Sequence, residues 1–234
     1  MSRRTRIAVA AATSLLTTLP VVALTASSAT AGQPAGYGPS DPFDSELMGD
    51  TGTPEPMKNL ARIDRDKYGY MLTAGQQNSH LTITLVNDGA DLRFVDTGTL
   101  KWKYLAPDCR AQKVAKGVAA VCKVPEATRL SDPTLLVFHP RIGNDFIDGR
   151  TLPATFEMAV LCDEGNDRVW AGQGNDFVNG AQDVDRIHGG PGKDWIRGGK
   201  ADDSIWGDDD NDYMVGQLGN DYINGGAGVN RIYQ

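Results

Sequence analysis

The chain has 234 residues, in which 23 Lys and Arg stand against 30 Asp and Glu, a formal net charge of -7 at pH 7. It contains 27 glycines and only three cysteines. The length suits one or two small domains, and the acidic balance argues against a nucleic-acid partner, whose phosphates would be repelled.

The first 31 residues are predicted to be an export signal. Three arginines lie within the first six residues, an apolar stretch follows from Ile7 to Ala26, and Ala29-Thr30-Ala31 is a small-x-small cleavage site. Removing this peptide leaves 20 basic and 30 acidic residues, a net charge of about -10. No later run approaches the roughly 20 apolar residues that span a bilayer. We therefore expect a secreted, extracellular protein without a membrane span.

Residues 32–67 are predicted to be a flexible linker, because Gly, Pro, Ser, Thr and acidic residues dominate up to Pro56. Residues 68–140 are predicted to be a β-rich N-terminal segment, since short runs of β-formers alternate there with turn signals. These runs are Leu81–Val86, Leu92–Val95, Leu100–Tyr104 and Leu135–Phe138. Lys113–Val121 could form a short helix.

The three cysteines are Cys109, Cys122 and Cys162. Export exposes a protein to oxidising conditions, and an odd count leaves one thiol unpaired. Cys109 and Cys122 lie close in sequence within a strand-forming segment, so we predict that they pair. The loop closure would contribute about 3 kcal/mol. Cys162 is then free, and a buried, inert thiol is favoured over a nucleophile because no motif supplies a base.

An internal repeat dominates residues 162–234. An Asp recurs every nine residues from Asp167, and Asn230 takes the last place. Two residues after each of these positions stands an apolar residue, and a glycine-containing turn precedes it, which gives the unit GGxGxDxUx, with U apolar. The apolar residues are Val169, Val178, Ile187, Ile196, Ile205, Met214, Ile223 and Ile232. An isolated copy, Gly143-Asn144-Asp145-Phe146-Ile147, lies 22 residues upstream of the first regular one.

This nonapeptide resembles the RTX, or haemolysin-type, calcium-binding repeat of secreted bacterial proteins. The resemblance is tight over residues 162–234 and looser over residues 141–161, and the strands with a cysteine pair are similar to the front portion of such proteins. It implies an all-β fold, a right-handed parallel β-roll over residues 141–234 with two repeats per coil. It also implies that calcium ions lie between successive turns.

In such a roll, repeats 18 residues apart stack into two columns of carboxylates. Neighbouring carboxylates would face each other about 4.8 Å apart and repel, so that the columns oppose folding unless a hard cation neutralises them. Glycines let the turns take positive φ and direct carbonyl oxygens to the ion, and an all-oxygen ligand set selects calcium. Up to six gaps result. The expected ligands are Asp167, Asp176, Asp185, Asp194, Asp203, Asp212, Asp221 and Asn230, with Gly172, Gly174, Gly190, Gly192 and Gly199.

Several repeats depart from the family pattern. Asp183, Ala201 and Asp210 stand at the fourth place, where the family has glycine, which weakens the expectation of an ion at those turns. The additional acids Asp202, Asp208 and Asp209 either compensate or are simply solvated. Two other interpretations of the repeats are a flexible acidic linker and a metal-free β-helix in which Asp caps the turns. The first would not need an apolar residue in phase, and the second would not need a strictly recurring Asp.

The outward strand positions hold aromatic residues 18 apart. Phe177, Trp195 and Tyr213 should stack on one sheet, and Trp170, His188 and Trp206 on the other. A stabilising ladder within each sheet is favoured over a surface for sugars or a partner.

No HExxH, GxSxG, P-loop or dinucleotide motif is present, and the three histidines form no catalytic pattern. We therefore predict a calcium-binding, calcium-folded protein that is not an enzyme and needs no cofactor but Ca²⁺. The alternatives are a calcium-stabilised adhesive or glycan-binding module, or a β-helical polysaccharide-acting enzyme, which would need paired carboxylates in a groove.

Overall fold

The computed structural model describes residues 57, 59–75, 77–126 and 128–234. These residues form eighteen β-strands and no helix. The strands are β1 (Leu60–Arg65), β2 (Gly69–Thr73), β3 (His80–Val86), β4 (Asp91–Asp96), β5 (Lys101–Leu105), β6 (Cys109–Gln112), β7 (Val118–Lys123), β8 (Thr134–Ile142), β9 (Phe146–Asp148), β10 (Phe156–Glu164), β11 (Arg168–Trp170), β12 (Phe177–Ala181), β13 (Arg186–Pro191), β14 (Trp195–Lys200), β15 (Ser204–Asp209), β16 (Tyr213–Leu218), β17 (Tyr222–Asn224) and β18 (Arg231–Tyr233).

The strands form two nine-stranded sheets that together make a parallel β-solenoid. One sheet has the order β18-β16-β14-β12-β10-β8-β2-β1-β5, and the other β17-β15-β13-β11-β9-β3-β4-β7-β6. From β8 onward each strand pairs in parallel with the strand two places along the chain. Arg168 aligns with Arg186, Arg186 with Ser204, and Ser204 with Tyr222. The predicted all-β roll and its 18-residue coil are confirmed.

The solenoid core consists of the apolar residue of each repeat. In a strand, alternate side chains point to opposite faces, so one apolar residue per three-residue strand suffices to fill the interior. Six of the eight predicted residues are at most 1% exposed, namely Val169, Val178, Ile187, Ile196, Ile205 and Met214. Ile223 is partly buried, and Ile232 is 45% exposed in β18 at the edge of its sheet.

The segment before the roll continues both sheets. The parallel pairs of β2 with β8 and of β3 with β9 join it to the solenoid, whereas β3, β4, β7 and β6 pair antiparallel. A disulfide links Cys109 and Cys122, which lie opposite each other on β6 and β7, and Cys162 is free and buried. The structure thus has the predicted pairing, and the four predicted strand runs correspond to β3, β4, β5 and β8.

Two predictions for this segment differ from the structure. Val118–Lys123 is a strand rather than part of a helix, because it fills the place between β4 and β6 with five buried side chains in succession. Leu60–Arg65 lies inside the predicted linker of residues 32–67 but forms β1, which pairs with β2 and β5. Only Ala61 and Ile63 alternate there with polar or charged residues, and this pattern is too short to indicate a strand from the sequence. Residues 1–56, with the predicted signal peptide and most of the linker, lie outside the described residues.

No helix among the described residues has the length and hydrophobicity needed to cross a membrane.

Candidate metal centre

The repeated aspartates form two columns, as their spacing of 18 residues predicts. The amide nitrogen of each Asp donates to Oδ1 of the residue one coil further on, over six bonds of 2.8–3.0 Å. One column contains Asp167, Asp185, Asp203 and Asp221, and the other Asp176, Asp194, Asp212 and Asn230. Each carboxylate is therefore tied to the backbone of the preceding coil rather than directly facing its neighbour's carboxylate.

Asp145 extends the first column, which the sequence analysis did not predict. Its amide donates to Oδ1 of Asp167 over 2.7 Å, and its own Oδ1 accepts the amide of Ser79 over 2.5 Å. The signal was the isolated repeat copy, but its offset of 22 residues conceals the register. The additional residues of this coil are absorbed by two register shifts between β8 and β10, near Cys162.

The second carboxylate oxygen is the unusual feature of these columns. Seven of the column aspartates, Asp145 included, are between 0% and 3% exposed. Oδ2 is buried without a hydrogen-bond partner in Asp145, Asp167, Asp185, Asp194, Asp203, Asp212 and Asp221. A buried acceptor without a partner costs about 1–3 kcal/mol, and more when it is charged. Such a set of orphaned oxygens needs a positive group.

A second oxygen lies close to four of these Oδ2 atoms. A methyl group built on Gly180 would lie under 3.0 Å from both Oδ2 of Asp185 and the carbonyl oxygen of Gly198. The same holds at three further glycines at the first place of their repeats. The four pairs are Asp185 with Gly198, Asp194 with Gly207, Asp203 with Gly216, and Asp212 with Gly225. A carboxylate and a carbonyl thus converge at each of four interturn gaps, where the absence of a side chain leaves room.

The turns of Asp167 and Asp176 are different. Oδ2 of Asp176 accepts the amide of Gly172 over 2.7 Å, so it has a partner already. The Asp167 carboxylate lies beside the thiol of Cys162, which occupies the place that glycine takes in later repeats. Burial and the nearby Asp167 charge raise the pKa of this thiol well above its usual value. The predicted inert character of Cys162 agrees with this environment.

Burial raises the pKa of every interior carboxyl in the columns. The pKa rises to about 8 for Asp185, to about 7 for Asp176, and to about 6 for Asp203 and Asp212. For Asp194 burial raises the pKa strongly, and the charges of Asp176 and Asp212 add to the effect. The spacing of the aspartates predicts only repulsion between neighbouring carboxylates as the cost of the columns. Loss of hydration is the larger cause, and repulsion the smaller one.

The turns keep their geometry even where glycine is replaced. Gly190, Gly192 and Gly199 have positive φ, as predicted. The same conformation occurs at six non-glycine residues, Ala181, Asp183, Ala201, Asp208, Asp210 and Gln217. The departures at Asp183, Ala201 and Asp210 therefore do not change the course of the backbone.

Gly172 and Gly174 do not have the positive φ that was predicted for them. Their turn stacks on the irregular loop Leu152–Phe156 instead of on another nonapeptide turn. A methyl group on Gly174 would lie under 3.0 Å from the carbonyl oxygen of Phe156, whereas one on Gly172 would be 3.4 Å from its nearest neighbour, Leu152. Glycine serves close approach at Gly174 and is not sterically required at Gly172.

A second ladder runs along the residues just before the aspartates. Where this residue is Asn or Asp, its side-chain oxygen accepts the amide one coil further on; the amide of Val184 donates to Asn166 and that of Lys193 to Asn175, both over 2.9 Å. Asp202 belongs to this ladder through the amide of Asn220. The sequence signal was the Asn that precedes Asp in several repeats. Of the other additional acids, Asp208 lies 3.1 Å from Nδ1 of His188, and Asp209 is exposed.

The aromatic side chains form the two predicted stripes. Trp195 makes edge contacts with Phe177 and Tyr213, with ring centroids 5.9 and 5.5 Å apart. On the other sheet His188 stacks on Trp206 at 4.4 Å and on Trp170 at 6.1 Å. The rings pack against one another, which favours the stabilising ladder.

Within the described residues, no three or more His, Cys, Asp and Glu side chains come together as a metal site. The oxygens at the four gaps instead come from one carboxylate and the backbone. This donor set contains no nitrogen or sulfur, so it suits a hard cation such as calcium rather than zinc or copper.

Stacked turns with one buried carboxylate each define a parallel β-solenoid of the cation-binding repeat class. Residues 163–187, 188–223 and 206–233 match the family model of the RTX calcium-binding nonapeptide repeat, in four copies. The repeat region of this chain is therefore an RTX calcium-binding repeat array. Comparisons with curated proteins and with solved structures found no match for the chain.

Proposed function

We propose that this protein is a secreted, non-catalytic calcium-binding protein whose roll folds around calcium ions held between its coils. The observation that carries the proposal is the set of orphaned Oδ2 atoms, four of which lie close to a carbonyl oxygen of the next coil. A calcium ion would supply positive charge and would be coordinated by both the carboxylate Oδ2 and the carbonyl oxygen. Calcium would remove the free-energy cost of burying unneutralised carboxylates, and this gain would favour calcium binding by the folded roll.

The same geometry supports four principal sites rather than the six gaps that the spacing allows. These are the gaps at Asp185, Asp194, Asp203 and Asp212, each with a glycine at the first place of the repeat. Asp176 is already satisfied by an amide, and Asp167 faces a thiol. Asn230 lacks a charge, and its Nδ2 donates to the carbonyl oxygen of Gly225 over 2.7 Å. The chain's own Asn thus shows how a turn closes without an ion.

Secretion is supported by the N-terminal sequence and by the disulfide, since disulfides persist in oxidising compartments. Fractionation of an expressing culture would test this, with the protein expected in the medium and lacking residues 1–31. The absence of catalysis is supported by the role of the acids, because the buried carboxylates of the columns bind backbone amides. Turnover of any polysaccharide by the pure protein would contradict it.

Far-ultraviolet circular dichroism tests the proposed folding. In chelator the roll should lose much of its β-signal, and it should regain it at about 0.1–1 mM calcium, the range of extracellular modules. Magnesium at the same concentration is the control, because it demands a rigid octahedral set of ligands. A spectrum that chelator and calcium leave unchanged would contradict calcium-coupled folding.

A further inference from the structure

The outer face of the sheet that contains β9, β11 and β13 has a row of four residues in register. His80 aligns with Phe146, Phe146 with Arg168, and Arg168 with Arg186. All four line one cavity of about 460 Å³. We call this row, with its cavity, the arginine row.

The charge environment distinguishes the two arginines of this row from several other arginines of the chain. Four arginines of the described N-terminal half and first coil each pair with an acid, as Arg62–Asp64, Arg65–Asp108, Arg110–Asp91 and Arg150–Asp148. No salt bridge joins Arg168 or Arg186 to a described residue, and both are exposed. Neighbouring strands lie about 4.8 Å apart, so two positive side chains that lack a salt bridge stand next to each other in an otherwise acidic chain.

The remaining polar groups of the cavity also favour an anion. Oδ1 of Asn144 and Oδ1 of Asn166 are occupied by backbone amides of the next coil, at 2.9 Å each, which leaves their NH2 groups as donors. Asp145 and Asp167 line the cavity as well, but each binds a backbone amide through Oδ1. Both residues are at most 2% exposed, whereas the side chains of Arg168 and Arg186 are exposed. The arginines are thus the main charges that a ligand would meet.

We propose that the arginine row binds an acidic sugar chain, with carboxylate or sulfate groups of the ligand on Arg168 and Arg186. Guanidinium groups bind both kinds of oxyanion in a bidentate manner. Two charges one strand spacing apart suit a polymer that bears an acid on successive units. Phe146 supplies an apolar wall for a sugar ring, and its ring lies 4.9 Å from those of His80 and Trp170. The inference depends on the proposed function only because calcium is expected to keep the roll folded.

Calorimetric titration in calcium would test this binding site directly. The probes are trigalacturonate and a sulfated maltotriose, with unmodified maltotriose and inorganic sulfate for comparison. The variants are Arg168→Gln, Arg186→Gln and the double substitution. Lys193→Gln is the matched control, because it removes one exposed positive charge elsewhere on the roll. Circular dichroism in calcium establishes that each variant is folded, so a failure of calcium-coupled folding is recognised separately.

Both acidic trisaccharides should bind the parent protein. Each single arginine substitution should weaken binding about tenfold and the double one about a hundredfold, while Lys193→Gln changes it less than twofold. No binding by the folded parent, or equal binding by the double variant, would overturn the proposal. Equal affinity for neutral maltotriose would refute recognition by charge. Inorganic sulfate that binds as tightly as the sulfated sugar would refute the role of the sugar ring.

Discussion

Replacing Asp185 by Asn should stabilise the roll without calcium and destabilise it with calcium. Asn keeps Oδ1 as the acceptor for the amide of Asp167 and replaces Oδ2 by a donor that can reach the carbonyl oxygen of Gly180, which corresponds to Gly225 in the turn of Asn230. Asn230 already adopts this arrangement, with Oδ1 bound to the amide of Asp212 and Nδ2 bound to Gly225. The substitution thus copies a solution present in the same column geometry.

The pKa of Asp185 determines the size of the gain. Its rise from 3.8 to about 8 means that, at pH 7.5, the carboxyl opposes folding by up to about 5 kcal/mol. Allowing for solvent screening, the net gain on removing it is about 2 kcal/mol. For a protein of this size the Tm in chelator should rise by roughly 4–8 °C.

In calcium the sign should reverse, because the variant loses a ligand. An ion that binds only the folded state contributes about 2.7 kcal/mol when its concentration is 100 times Kd. Thermal unfolding followed by circular dichroism, in chelator and in calcium, measures both effects. The matched control is Asp209→Asn, which changes the same chemical group at an exposed position outside the columns. A loss of stability in chelator, or an unchanged response to calcium, would refute the reasoning.

Three further predictions follow from the same geometry. Gly198→Ala should reduce the calcium stoichiometry by one and lower the Tm in calcium, because its methyl group would clash with Asp203 and Gly216. Gly172→Ala is the control, because its methyl group would meet nothing closer than 3.4 Å. Calorimetry and thermal melts should show neither change for this control. Without calcium the roll should be more stable at pH 5 than at pH 8, because carboxyls with raised pKa values bind more protons in the folded state. Their stabilising effect is full below about pH 4 and is lost as the pH rises to about 8. A Tm in chelator that increases with pH over this range would contradict this prediction. Reduction of the Cys109–Cys122 disulfide should cost about 3 kcal/mol in denaturant unfolding, and unreduced peptide mapping that links Cys162 to another cysteine would refute the assignment.

The roll could be predicted because its information is periodic. One Asp and one apolar residue every nine positions determine both which side chains stack and which face inward, and the alignment of Ile187 with Ile205 follows directly. The N-terminal segment has no such repeat. Its strand β1 has only two fully buried apolar side chains among charged ones, and β7 has a continuous apolar run that favours helix and strand equally well.

The interior of the metal centre could be predicted only in part. Spacing places Asp194 between Asp176 and Asp212, but it does not show that Oδ1 binds the backbone and leaves Oδ2 without a partner. The different roles of the two carboxylate oxygens depend on contacts between residues 18 apart in sequence, which the sequence alone does not show. The position of Oδ2 also explains why glycine matters at the first place of the repeat. Gly180 leaves room for an ion beside Asp185, whereas the thiol of Cys162 lies beside the carboxylate of Asp167.

Anomalous diffraction from crystals grown in calcium would test the central claim most directly, because it locates each ion without reference to the fold. The account predicts four peaks, each between Oδ2 of Asp185, Asp194, Asp203 or Asp212 and the neighbouring carbonyl oxygen of the next coil. Peaks confined to exposed acids such as Asp209, or an absence of peaks between the coils, would contradict it.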